Sequence, residues 1–311
     1  MVSKEFGPVI SPTPARSMVR LNHMGQRNGL ASTLLAGLLF GTSVPVIKLG
    51  LNSNLPPDLF VELRFAIASA IIILFLRGRG WVQWNIFRSR QLRIVGLINA
   101  AGYVTQFQGQ ALTSSSNAAL IISTAALMIP ILSLLYTREK LGARKIVGVI
   151  TGFVGTALVV TRGESLSLAS SEFVGDVLIV ITAITIALVF VLSEDIVKNR
   201  GGKPVTGGIL LSTSLLLLPA VPLDQNLTFA FSLTEWLCIL YLATFATVGA
   251  YHFFMKGLES VSPTVSSIIL PIEVIVAVFL SVLIFHDPFN FYSGTGALLI
   301  VTGVGLVSSS A

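Results

Sequence analysis

Ten separate stretches of this 311-residue chain are apolar, nearly free of charge and about as long as a bilayer is thick. A window of about 19 residues places them at 29–51, 60–76, 94–112, 116–136, 145–161, 177–193, 205–223, 236–255, 262–284 and 291–308. Backbone N–H and C=O groups have no partner in hydrocarbon, so runs of this length must close their hydrogen bonds internally as helices. Barrel strands would be half as long and alternate in polarity. Composition agrees: 53% of residues are hydrophobic and 11% charged, where a soluble domain carries about 25%. The expected fold class is all-α integral membrane, with ten transmembrane helices. Disulfide-rich secreted classes are excluded, since the one cysteine, Cys238, lies inside an apolar run.

The charges sort by loop. If the N-terminus is cytoplasmic and the chain crosses ten times, seventeen of the twenty Lys and Arg lie in cytoplasmic segments, and Arg162 is the one cation in an external loop. This asymmetry predicts a multi-pass protein of the cell membrane with both termini cytoplasmic. The positive charges are spread between apolar runs rather than clustered, so no nucleic-acid partner is expected. Residues 1–28 hold Lys4, Arg16, Arg20 and Arg27 against Glu5, with Pro8, Pro12 and Pro14, and are expected to be a disordered basic tail. No apolar stretch precedes residue 29, which argues against a cleaved signal peptide; a transit peptide stays open.

The chain repeats. At an offset of 148, Glu139 meets Asp287, Gly148 meets Gly296 and Gly155 meets Gly303; at 146, Gln106 meets His252 and Lys48 meets Glu194. The domains are therefore residues 29–161 and 173–308. Each holds five helices, an odd number, so the second enters the membrane from the opposite side. Two inverted five-helix repeats are an architecture of transporters, because the halves can pack in two near-equivalent ways.

Several segments carry a resemblance: LLFGTSVPVIKLGL at 38–51, ELRFAIASA at 62–70, ALTSSSNAA at 111–119, Arg138-Glu139-Lys140-Leu141, Gly257-Leu258, Glu273 and a glycine-rich last helix. In this order and spacing the chain resembles the EamA-type branch of the drug/metabolite transporter superfamily. It departs from that pattern at Glu273, which is followed by Val274 with the proline at Pro271, at His286-Asp287, and in lacking a helix-six tryptophan. The resemblance implies ten helices in two inverted repeats, a central cavity, and export of amino acids or other small metabolites.

Ionisable groups at membrane depth mark candidate sites. Glu273 stands mid-span with no other charge in its helix. It reads either as a cavity carboxylate that binds a cationic group or carries a coupling proton, or as a structural glutamate bonded to a neighbouring helix. Lys48 has two readings, a headgroup-seeking side chain and a substrate contact. Arg64 lies deeper and is expected to face inward, holding a carboxylate of the substrate or of another helix. In the third helix Asn99, Tyr103, Gln106 and Gln110 recur at steps of 4, 3 and 4, one face about 16 Å long that suits a cavity wall. Thr244, Thr247, Tyr251 and His252 offer a facing wall on the eighth; the two tyrosines read as stacking or packing groups, and the histidine as a titrating or carbonyl-bonded one. Pro45, Pro130 and Pro271 are expected to bend helices one, four and nine, as hinges or fixed kinks.

No cofactor is expected: no phosphate-binding loop occurs, and the three histidines are too scattered for a metal set. A secondary transporter of a small molecule working by alternating access is the leading reading. A membrane-embedded transferase and a structural or sensory protein without flux are the alternatives; oligomeric state is not readable.

Overall fold

The computed structural model describes residues 15–53, 55–137, 142–161, 170–223, 231–261, 269–286 and 290–308. Among these residues every regular element is helical. The first half comprises α1 (Ala15–Asn52), α2 (Pro57–Ile71), α3 (Arg90–Leu112), α4 (Ser115–Ile122), α5 (Ala125–Thr137) and α6 (Ala143–Thr161). The second comprises α7 (Ser171–Arg200), α8 (Gly202–Leu217), α9 (Leu233–Ala243), α10 (Ala250–Leu258), α11 (Ile269–Phe285) and α12 (Phe291–Ser308). Among the described residues six helical columns are long and apolar enough to cross a membrane, and parts of α11 and α12 form two shorter apolar helices. The remaining expected spans, 94–112 and 145–161, are helices α3 and α6.

Local chemistry sets the boundaries. Pro57 opens α2, where its missing N–H costs nothing, and Asp58 sits in the positive first turn. Ser89, Ser114 and Ser170 cap α3, α4 and α7 by accepting from backbone N–H groups. Ser232 and Glu235 close a reciprocal capping box on α9. The fourth column is interrupted at Ser123–Thr124, whose hydroxyls donate to the Leu120 and Ile121 carbonyls at 2.5 and 2.7 Å. The column therefore breaks before Pro130, which lies inside α5. Pro45 lies inside α1, and Pro271 in the first described turn of α11.

One expectation is corrected here. Residues 15–28 of the tail expected to be disordered form the opening turns of α1, which continue the helical repeat of the first span. Residues 1–14 lie outside the described set, as do Glu139, Asp287 and the Arg138–Leu141 motif.

Helix packing carries the duplication into three dimensions. The pairs α3/α7 and α10/α1 exchange when the halves are swapped, as do α1/α11 and α7/α5, and α3/α8 and α9/α2. The pairs α2/α8, α4/α11 and α6/α12 map onto themselves. Close approach at α6/α12 requires glycine: a Cβ on Gly155 would stand 2.6 Å from the Gly296 carbonyl. Large apolar side chains such as Leu74, Leu135, Ile150 and Phe279 face outward, a surface that water would not tolerate and lipid does.

Candidate functional site

Between the halves the helices leave a cavity. From the first half, α3 lines it with Asn99, Gly102, Tyr103 and Gln106, and α1 with Phe40 and Ser43. From the second, α7 contributes Thr182, Thr185, Ile186, Val189 and Phe190, α10 contributes Tyr251, Phe254 and Met255, and α11 contributes Glu273. Five of the residues singled out in the sequence therefore meet here: Glu273, Asn99, Tyr103, Gln106 and Tyr251.

The polar face of α3 arises because residues three and four apart share a side of a helix. Asn99 is fixed from both sides: its amide donates to Thr213 on α8 at 2.9 Å, and its oxygen accepts from the Tyr251 hydroxyl at 2.6 Å. One asparagine thus joins α3 to α8 and α10 and aims the Tyr251 ring along the cavity. Opposite, Thr105 and Thr182 share a hydroxyl hydrogen bond of 2.9 Å across α3 and α7. Phe190 and Phe254 bring their rings to 4.0 Å between α7 and α10. The wall is aromatic and amide-rich, and among the described residues Glu273 is the one carboxylate lining it.

Arg64 lies behind this wall, fully buried. Its Nε–H donates to Thr247 Oγ1 at 2.6 Å, Nη1 to Ser43 Oγ at 3.3 Å, and Nη2 to the Ala246 carbonyl at 3.0 Å. The guanidinium carbon is 4.9 Å from the Tyr103 ring centre, 5.6 Å from that of Phe65 and 6.0 Å from that of Phe107. Residues 244–249 form a π-helical turn, a widened turn that turns a carbonyl outward, and Arg64 meets it there. Neutral oxygens and aromatic faces hold the charge; among the described residues no carboxylate pairs with it. Glu62 takes another partner, accepting from Ser214 on α8 at 3.0 Å.

Three sequence candidates stand apart from the cavity. Lys48 donates to the Gln110 and Thr113 carbonyls at 2.9 and 2.8 Å, so it ties α1 to the carbonyl-rich end of α3. The Gln110 side chain is fully buried, and neither amide atom finds a hydrogen bond among the described residues. His252 stacks on Trp81 at 4.8 Å, away from the cavity. The π turn just before it supplies the reason: one surplus residue rotates the rest of the helix by about 100°. Gln106, its counterpart at offset 146, faces the cavity and His252 does not.

The sequence reading passed over the α7 wall and a polar group beyond α3. Thr182 and Thr185 stand one turn apart in an apolar run, a signal that was available. At the far end Gln108 donates to Asp58 at 2.9 Å, and the Thr113 hydroxyl donates to buried Asp176 at 2.6 Å. Together with Lys48 these bonds bind α1, α2, α3 and α7 at one end of the molecule.

The model of the EamA-like transporter family matches this chain twice, over residues 27–161 and 173–309. The chain belongs to the EamA-like transporter family. An uncharacterized transporter of Archaeoglobus fulgidus is 28% identical over 276 residues, covering 88% of this chain and 83% of its own. Uncharacterized transporter YetK of Bacillus subtilis is 25% identical over 288 residues, covering 90% and 86%. Uncharacterized inner membrane transporter YicL of Salmonella typhimurium is 25% identical over 291 residues, covering 91% and 95%. A solved crystal structure matches with a TM-score of 0.65 at 20% identity, covering 90% of this chain and 98% of that one, a likeness of fold alone. The two family matches fall on the two packed halves, and the apolar columns make the EamA chain a multi-pass membrane protein.

Proposed function

We propose that this EamA-family protein is a secondary transporter that exports a small metabolite, such as an amino acid or related compound, by alternating access. The observation that carries the reading is the cavity shared by both halves, walled by the α3 amides and aromatics and by Glu273. A site at the junction of two repeats reaches either side of a bilayer as the halves rock. Ten crossings, with the repeats inverted and both termini cytoplasmic, fit the charge sorting of the loops.

In this reading Glu273 binds a cationic group of the substrate or carries the coupling proton. Asn99, Gln106 and Tyr251 supply hydrogen bonds, and Tyr103 supplies a ring face. Arg64 acts on the cavity through Ser43 and Tyr103, which stand between it and the opening. Lys48 fastens the end of α3, while Pro45, Pro130 and Pro271 lie where bending would accompany rocking. Proteoliposomes loaded with radiolabelled amino acids, amines or nucleosides test the reading. Substrate-selective flux supports it, and absence of flux for every class in protein that stays folded rejects it.

A further inference from the structure

We infer that the segment joining α2 to α3 is a binding platform for anionic phospholipid headgroups. Residues 77–93 contain five arginines, Arg77, Arg79, Arg88, Arg90 and Arg93, and no acidic residue. All five are exposed, and among the described residues none forms an ion pair. Sorting of charge during insertion needs only that arginines be present. It does not need them displayed together on a folded surface.

The surface is folded. Trp81 is buried, its carbonyl seated against Gly207 of α8 and its ring on His252 of α10. Ile86 and Leu92 are buried too, both near Gly208. Gly80 takes a φ of 82°, a left-handed turn that reverses the chain and that a side chain would strain. Short 3₁₀ turns at 77–79 and 84–88 flank these anchors. The arginines therefore project from a fixed base, with less ordering cost on binding than a loose loop would incur.

Apolar groups place that base at the level of the headgroups. Leu74 and Phe75, in the turn just before the segment, are 73% and 72% exposed, as lipid-facing residues are. Trp84 is 63% exposed, with its ring 6.0 Å from that of Phe87. Exposed tryptophan between an apolar turn and a set of cations is the arrangement that favours the membrane–water boundary. Guanidinium forks match phosphodiester oxygens, and the multiple charges favour anionic over zwitterionic lipid. Lys203, Lys256 and Glu259 all lie within electrostatic reach of His252, and Glu259 also accepts from the Gly202 N–H at 2.6 Å.

The test uses the full chain in neutral detergent and quenching of Trp84 by brominated phosphatidylglycerol or brominated phosphatidylcholine. Subtracting the signal of Trp84→Phe removes emission from Trp81 and Trp236. Phosphatidylglycerol is expected to quench at several-fold lower lipid fraction. That advantage should shrink roughly fivefold for each arginine removed in Arg79→Gln/Arg88→Gln at low salt, and fall in high salt. Arg79→Lys/Arg88→Lys should keep most of it. Equal quenching by the two lipids, or an advantage unchanged in the glutamine variant, would overturn the proposal. So would displacement of the lipid by equimolar soluble glycerol phosphate, which would mark a free-anion site. The substituted side chains are exposed, so the variants are expected to fold, and Arg93→Gln provides a second, single-site check. None of these readouts depends on transport.

Discussion

Glu273 and Arg64 differ in what surrounds them, and that difference decides how each should respond to substitution. Glu273 lines the cavity, and among the described residues its side chain makes no hydrogen bond. Glu273→Gln keeps its shape while removing its charge, so flux in proteoliposomes is expected to fall at least about tenfold, the scale of one lost charged contact of some 1.4 kcal/mol, with thermal unfolding in detergent nearly unchanged. Undiminished flux would take Glu273 out of the mechanism. Arg64 is instead wedged among three oxygens and three rings. Arg64→Leu is expected to cost about 2–4 kcal/mol of stability, since it leaves the Ala246 and Thr247 oxygens unpaired and the rings poorly filled. Arg64→Lys keeps the charge but cannot span the same fork, so its unfolding temperature should also drop. Sequence alone picked out both groups because charge at membrane depth is costly. It could not tell that Lys48 would reach the end of α3, because that depends on a neighbour sixty-two residues away.

Elements were legible where periodicity rules and obscure where it breaks. The polar face of α3 follows from steps of three and four, and three of its four residues do line the cavity. The fourth, Gln110, shares the face but lies beyond the end of the opening, a matter of depth that periodicity does not encode. The π turn at 244–249 is invisible to any fixed period, and it sent His252 to Trp81 rather than to the cavity. Glycines show the same split between what a pattern suggests and what contact decides. Gly155→Ala would press a methyl onto the Gly296 carbonyl, so α6 and α12 should separate at a cost of about 1–3 kcal/mol in unfolding stability. Gly305→Ala meets nothing within 4 Å and should be neutral or stabilising by up to about 1 kcal/mol. Thermal unfolding of the two variants side by side checks both; equal shifts would contradict the packing described for this pair.

At the scale of the whole molecule, the swapped couples of helix contacts express a duplication that the sequence shows through a few glycines and two offsets. Offsets locate the copies, but they do not say which helices touch, since contact depends on how the copies nest. If five helices in each copy cross the membrane in opposite senses, the chain begins and ends on the same face. Single cysteines at positions 3 and 310, in a Cys238→Ala background, should then react with an impermeant thiol reagent from one side only and from the same side. Labelling from opposite faces would reduce the crossings to an odd number. The seam between the copies has a further property. Arg64 of the first half grips the second half through a hydroxyl and a main-chain oxygen, with no acid facing it among the described residues. When an ion pair is pulled apart in an oily medium, two bare charges are stranded. Were this grip to loosen, only one cation would need new company, and Ser43 already connects it to the cavity, so parting the two copies would set no electrostatic trap between them.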